Sequence, residues 1–82
     1  MGLTVTYDQE ADAISVAFAV LTPGCVARTH SIDDHRLVDY DADGNVIAIE
    51  LLNVSAGVDL DGLPHQEDVA AALRSLATLS SA

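Results

Sequence analysis

The chain contains no lysine and no tryptophan, one cysteine, two prolines and only three aromatic residues, Tyr7, Phe18 and Tyr40. Each scarcity excludes something. With so few aromatics, the core has to be built from Val, Ile, Leu and Ala. Cys25 stands alone, so no disulfide can form within the chain, which suits a reducing compartment. The longest apolar stretches fall far short of the ~20 residues that span a bilayer. No basic segment precedes an apolar run near the N-terminus, so no signal peptide is expected. The expectation is a soluble, cytoplasmic protein. Basic residues are scarcest relative to need: Arg28, Arg36 and Arg74 stand against thirteen Asp and Glu, for a net charge of −10. Such a charge repels phosphate backbones and anionic lipid surfaces, which excludes direct nucleic-acid binding and membrane attachment as roles. It permits a basic protein partner or a cation. The simpler reading is that acidic residues in turns solvate them.

What is present is β-patterned. The 82 residues are expected to form one domain, 1–82, that buries about 60–65 % of its unfolded surface. Leu3–Tyr7 alternates with period two, and Ala13–Val20 repeats the pattern with Ile14, Val16, Phe18 and Val20 on one face and small residues on the other. Pro23-Gly24 marks a turn. Cys25–Ile32 is a more polar third strand, with Val26, Arg28, His30 and Ile32 on one face. Leu37–Tyr40 and Val46–Leu52 flank Asp41-Ala42-Asp43-Gly44-Asn45, a hairpin signal because Gly, Asn and Asp tolerate turn geometry. Alternation along Val46–Leu52 places Ile47, Ile49 and Leu51 together, opposite Val46, Ala48, Glu50 and Leu52.

After an irregular link, 56–63, the sequence turns helical over 64–79. Pro64 suits a first helical position, Glu67 and Asp68 favour the helix dipole, and Val69, Ala72, Leu73, Leu76 and Leu79 form one apolar stripe. The fold class expected is α+β: an antiparallel β-meander of about five strands over 3–55, with one C-terminal α-helix packed on the sheet. Because Val46–Leu52 is apolar on both faces and one helix covers only part of one, a second copy is the expected cover, giving a homodimer.

Tyr7-Asp8-Gln9-Glu10-Ala11-Asp12-Ala13-Ile14-Ser15-Val16, Ala27-Arg28-Thr29, Val38-Asp39-Tyr40-Asp41-Ala42-Asp43-Gly44-Asn45-Val46 and Ile49-Glu50-Leu51-Leu52-Asn53-Val54-Ser55 follow one another in an order that resembles a family of small prokaryotic proteins, domain of unknown function 2283. The resemblance runs from Leu3 to about Ser55. It implies a small β-rich domain and no established reaction or catalytic residues. The family usually carries Gly where this chain has Ala48. Some members look like partners of small toxin-like proteins, so an antitoxin-like role falls within what the resemblance implies.

Candidate chemistry is sparse. Asp41-x-Asp43-Gly44-Asn45 copies the opening of an EF-hand loop, but Val46 and Leu52 stand where that loop needs Gly and a bidentate Glu. Asp39, Asp41, Asp43 and Glu50 remain candidates for a small ligand or a divalent cation. Arg28 is a candidate for a cross-strand ion pair with Asp39 or Glu50, or for partner contact, and Asp12 for capping its own turn or contacting a partner. Cys25, His30 and His35, with Asp33 and Asp34, lack zinc-site spacing, so no metal site is assigned. There is no phosphate loop and no nucleophile elbow, and no cofactor or catalytic residue is expected. The leading expectation is a non-enzymatic protein-interaction module that sequesters a basic partner. A ligand- or cation-binding domain is second, and an enzyme with its site at a dimer interface third.

Overall fold

A computed structural model describes residues 3–20 and 22–80, with side chains to Ser75. Five strands form one antiparallel sheet: β1 (Thr4–Asp8), β2 (Ala13–Ala17), β3 (Arg28–Asp33), β4 (Arg36–Tyr40) and β5 (Val46–Leu52). A short 3-10 turn, Val54–Ala56, follows, and then one helix, α1 (Gln66–Ser80). The α+β class expected from the sequence is what is found.

The strand order is β1-β2-β5-β4-β3, which corrects the simple meander. β1–β2 is a hairpin, β3–β4–β5 is a meander, and the two join where β2 pairs with β5. The segment between Ala17 and Arg28 therefore links β2 to the far edge. β5 is the longest and most apolar strand, and it takes the centre, where neighbours on both sides shield it. Its core face is covered by Leu63 and Val69, and its other face carries Ala48, Glu50 and Leu52.

One face of the sheet carries the core. Ile14, Val16, Val38, Ile49 and Leu51 cluster with Leu63 from the link and Val69 from α1. Val16, Val38, Ile49, Leu51 and Val69 are almost completely buried, each contributing about 1.5–3 kcal/mol of transfer free energy. Val69 and Leu73 of the expected apolar stripe pack here, and Leu76 and Leu79 lie outside the described side chains.

Alternation fails at one point in β5. Asp39 pairs with Ala48 but Tyr40 pairs with Val46, which leaves Ile47 as an extra residue. A bulge of this kind reverses the inside–outside sequence. Val46 consequently packs against the core with Ile49 and Leu51, whereas Ile47 and Ala48, both buried, stand apart from that cluster. The expected division of β5 faces is thus wrong at its first two residues.

Segment ends shift for local reasons. β2 stops at Ala17 rather than Val20, although the Phe18 amide still donates to the Ile47 carbonyl at 2.9 Å. β3 begins at Arg28 rather than Cys25, after the Pro23-Gly24 turn. The helix begins at Gln66, because His65 has φ +55°, a conformation no helical residue adopts. The His65 ring packs against Phe18 at a tilt of 38°, with centroids 4.9 Å apart.

Candidate functional site

The strand registers sort the polar side chains onto two faces. On the face opposite the core, Thr4, Ala17, Ala48, Asp39 and Thr29 form one row across the sheet, and Thr6, Ser15, Glu50, Leu37 and Ser31 form the next. Asp8, Ala13 and Leu52 begin a third. Apart from Leu37, Glu50 and Leu52 the side chains are short, and none of these strand positions carries a basic residue. Ala48, where the family resemblance leads one to look for Gly, is only 3 % exposed in the middle of this face.

Two of the four ligand candidates meet here. Asp39 and Glu50 are diagonal neighbours on adjacent strands, a spacing of about 7–8 Å between Cα atoms. Asp39 accepts a hydrogen bond from the Thr29 hydroxyl at 2.6 Å. Glu50 is flanked by Ser15 and Leu37 and has no hydrogen-bond or ionic partner among the described residues.

The other two sit in the β4–β5 turn, where only Asp41 folds its carboxylate back onto the chain. The Asp41 carboxylate accepts from the amides of Asp43 and Asn45, at 3.0 and 2.9 Å, and from the Asn45 side-chain amide at 3.3 Å. The Asn45 amide is the main reason its carboxyl lies below the usual carboxylate range. Asp41 is thus a turn-former whose oxygens are already occupied, and Asp43 is exposed beside it. Among the described residues, no group of three or more His, Cys, Asp or Glu converges on a point that could hold a metal ion. Cys25, His30 and His35 are not brought together.

Arg28 does not meet Asp39 or Glu50. Its guanidinium lies over the Tyr40 ring, 4.5 Å from the centroid. The register explains this, because Arg28 pairs with Tyr40 on the core side while Asp39 faces the other way. Cation–π contact replaces the expected ion pair.

Asp12 does not cap its own turn. Asp8 performs that job, accepting from the Ala11 amide at 3.1 Å. The Asp12 carboxylate instead accepts from the amide of Ser55 at 3.0 Å and from its hydroxyl at 2.7 Å. Its own carbonyl accepts from the Val54 amide at 3.1 Å. The β1–β2 turn is thereby clamped to the chain leaving β5.

Sequence reasoning missed Arg36. Its side chain is 12 % exposed and forms a 2.8 Å ion pair with Asp33. It also donates to the carbonyls of Asp59 and Asp61. Asp33 in turn accepts from the His35 amide at 2.9 Å. The Arg36 bond, and then the His35 amide, hold the Asp33 carboxyl below its ordinary value, and Asp33 keeps Arg36 firmly protonated. The local signal was Asp33, three residues before Arg36; the carbonyls of Asp59 and Asp61 lie 23 and 25 residues away and carry no mark in the sequence. An open cleft of about 260 Å³ lies beside this arginine, between the end of β5 and the link through Gly57 and Val58. Arg36 is fully engaged with the chain's own oxygens, so it presents no free charge to that cleft.

A family model described as protein of unknown function (DUF2283) matches residues 4–55. The chain belongs to the DUF2283 family. No curated protein and no solved structure matches it. The matched stretch runs from the first residue of β1 to Ser55, so it holds all five strands and both ends of the Asp12–Ser55 clamp. The helix and the Asp59 and Asp61 carbonyls held by Arg36 lie beyond the part that defines DUF2283. No helix among the described residues is long and apolar enough to cross a membrane.

Proposed function

We propose that this chain is a non-enzymatic interaction module whose acidic open sheet face receives a basic protein partner, in the manner of an antitoxin that sequesters its target. The observation that carries this reading is the charge of that face. Asp39 and Glu50 lie side by side in its middle, Asp8 stands at its corner, and no basic residue occupies any of its strand positions. Glu50 is unpaired among the described residues, so a partner's Arg or Lys has an available carboxylate to meet. Ser15 on one side of it is short, as are Ala48, Ala17 and Thr29 in the next row, and Leu37 on the other side offers a partner apolar contact. Electrostatic complementarity of this type raises association rates and selects against acidic competitors.

The carboxylates best suited to chemistry are engaged elsewhere: Asp12 on Ser55, Asp33 on Arg36 and Asp41 on its own turn. A face-to-face pairing with a second copy would set Asp39 and Glu50 against like charges, which favours a partner of opposite charge. The cytoplasm, where Cys25 stays reduced, suits such a role.

The test is capture from a lysate of the source cell at low and at high salt, with wild type beside Glu50→Lys and Asp39→Asn. A basic protein held by wild type, released by salt and lost with Glu50→Lys, is the expected result. Retention of the same proteins by Glu50→Lys would overturn the reading, as would capture of nothing basic.

A further inference from the structure

β1 is an edge strand, and its peptide groups alternate in direction. The Phe18 amide donates to the Ile47 carbonyl, so the even-numbered residues of β2 turn their peptide groups toward β5. Ala13, Ser15 and Ala17 then bond to Asp8, Thr6 and Thr4 of β1. What remains outward along that edge is the amide and carbonyl of Val5 and of Tyr7, with no further strand beyond them.

The two edges of the sheet differ. β3 carries Arg28 and His30, exposes almost every side chain and is broken by a register shift between Ser31 and Asp33. Those are the usual devices that blunt an edge. β1 is also largely exposed and ends on Asp8, but its register with β2 is unbroken over all five residues, and it holds no Pro, Gly or basic residue. Its Thr-Val-Thr-Tyr run favours extended structure. Tyr7 is 48 % exposed there, beside a half-buried Val5 on the same face.

We propose that two copies of this chain pair antiparallel through β1, centred on Thr6, making one continuous sheet. In that register Val5 bonds to Tyr7 of the partner subunit and Tyr7 to the partner's Val5, so all four outward groups of each chain find partners. The β-branched and aromatic side chains then pair directly across the junction. Asp8 falls opposite the partner subunit's Thr4, and the two Asp8 carboxylates stand about 13 Å apart, beyond the screening length of about 8 Å at physiological salt. Both acidic faces point to the same side, so the pairing doubles the face proposed for a basic partner without covering it. The pairing does not depend on that proposal, because its test reads only the association of the chain with itself.

Sedimentation of the full chain at physiological salt is expected to give twice the 8.5 kDa of one chain. Val5→Pro removes an outward amide, which an edge strand tolerates, together with a half-buried side chain at the margin of the core, and is expected to weaken the dimer by at least about tenfold while the β-sheet circular dichroism is kept. A cross-link reports independently of that variant's folding. In a Cys25→Ser background, Thr6→Cys should form an intermolecular disulfide with oxidised glutathione, and Thr29→Cys on the other edge strand should not. A monomer at every concentration, an equally tight dimer in folded Val5→Pro, or cross-linking by Thr29→Cys and not by Thr6→Cys would each overturn the proposal.

Discussion

Asp12 grips Ser55 across 43 residues of chain, with one carboxylate oxygen on the amide and the other on the hydroxyl. The contact joins the turn that starts the sheet to the segment that leaves its central strand. Asp12 holds this position at φ +54°, a left-handed conformation that Asn and Asp tolerate better than other side chains.

Breaking the clamp should therefore show two separable costs. Asp12→Ala loses both hydrogen bonds and puts a poorly suited residue at positive φ, for about 2–3 kcal/mol. Asp12→Asn keeps the backbone preference and should cost about 1 kcal/mol. Ser55→Ala should match Asp12→Asn and add almost nothing to Asp12→Ala. Urea unfolding of the single and double variants checks this, and additive losses would show that the two residues do not act together.

Arg36 is the anchor of the link to the helix. Arg36→Lys keeps the charge but loses the planar fork that reaches Asp33, Asp59 and Asp61 together. A loss of about 1–2 kcal/mol is expected, with faster amide hydrogen exchange across residues 57–63 and little change within β2. Uniform acceleration over the whole chain would contradict a local anchoring role.

Acid should weaken the fold through Asp33 and Asp41. Both carboxyls titrate below the ordinary value of 3.8, Asp33 chiefly through Arg36 and Asp41 chiefly through the Asn45 amide. A folded pKa below the unfolded one means the stabilisation is complete above that ordinary value and is lost as pH falls through the folded value. Melting temperature should consequently drop below about pH 4. Asp33→Asn and Asp41→Asn should each lower it at neutral pH and flatten the acid limb. Acid limbs parallel to that of wild type would assign the loss to other groups.

Gly44 occupies φ +85° in the β4–β5 turn, and a Cβ added there would meet nothing within 4 Å. The cost of Gly44→Ala is thus one of backbone conformation alone, about 1–2 kcal/mol. Gly44→Asn should recover part of it. Equal stability of the Ala and Asn variants, measured by thermal unfolding, would place this turn outside the left-handed region.

The local elements could be read from the residues alone. Alternation, turn chemistry and a 3.6-residue stripe are properties of neighbours in the chain, so the strands around Val5, Ile14, Val38 and Ile49, the Asp41–Asn45 turn and the helix carrying Val69 were legible without coordinates. Pairing is a property of residues far apart, and it came from the folded arrangement. It set β5 between β2 and β4 and laid Ile49 and Leu51 against Leu63 and Val69. It inserted the bulge at Ile47, turned Arg28 and Asp39 to opposite sides, and brought Asp12 to Ser55 and Arg36 to the link. Each of these depends on a register between strands, and a shift of one residue would move every side chain concerned to the other face.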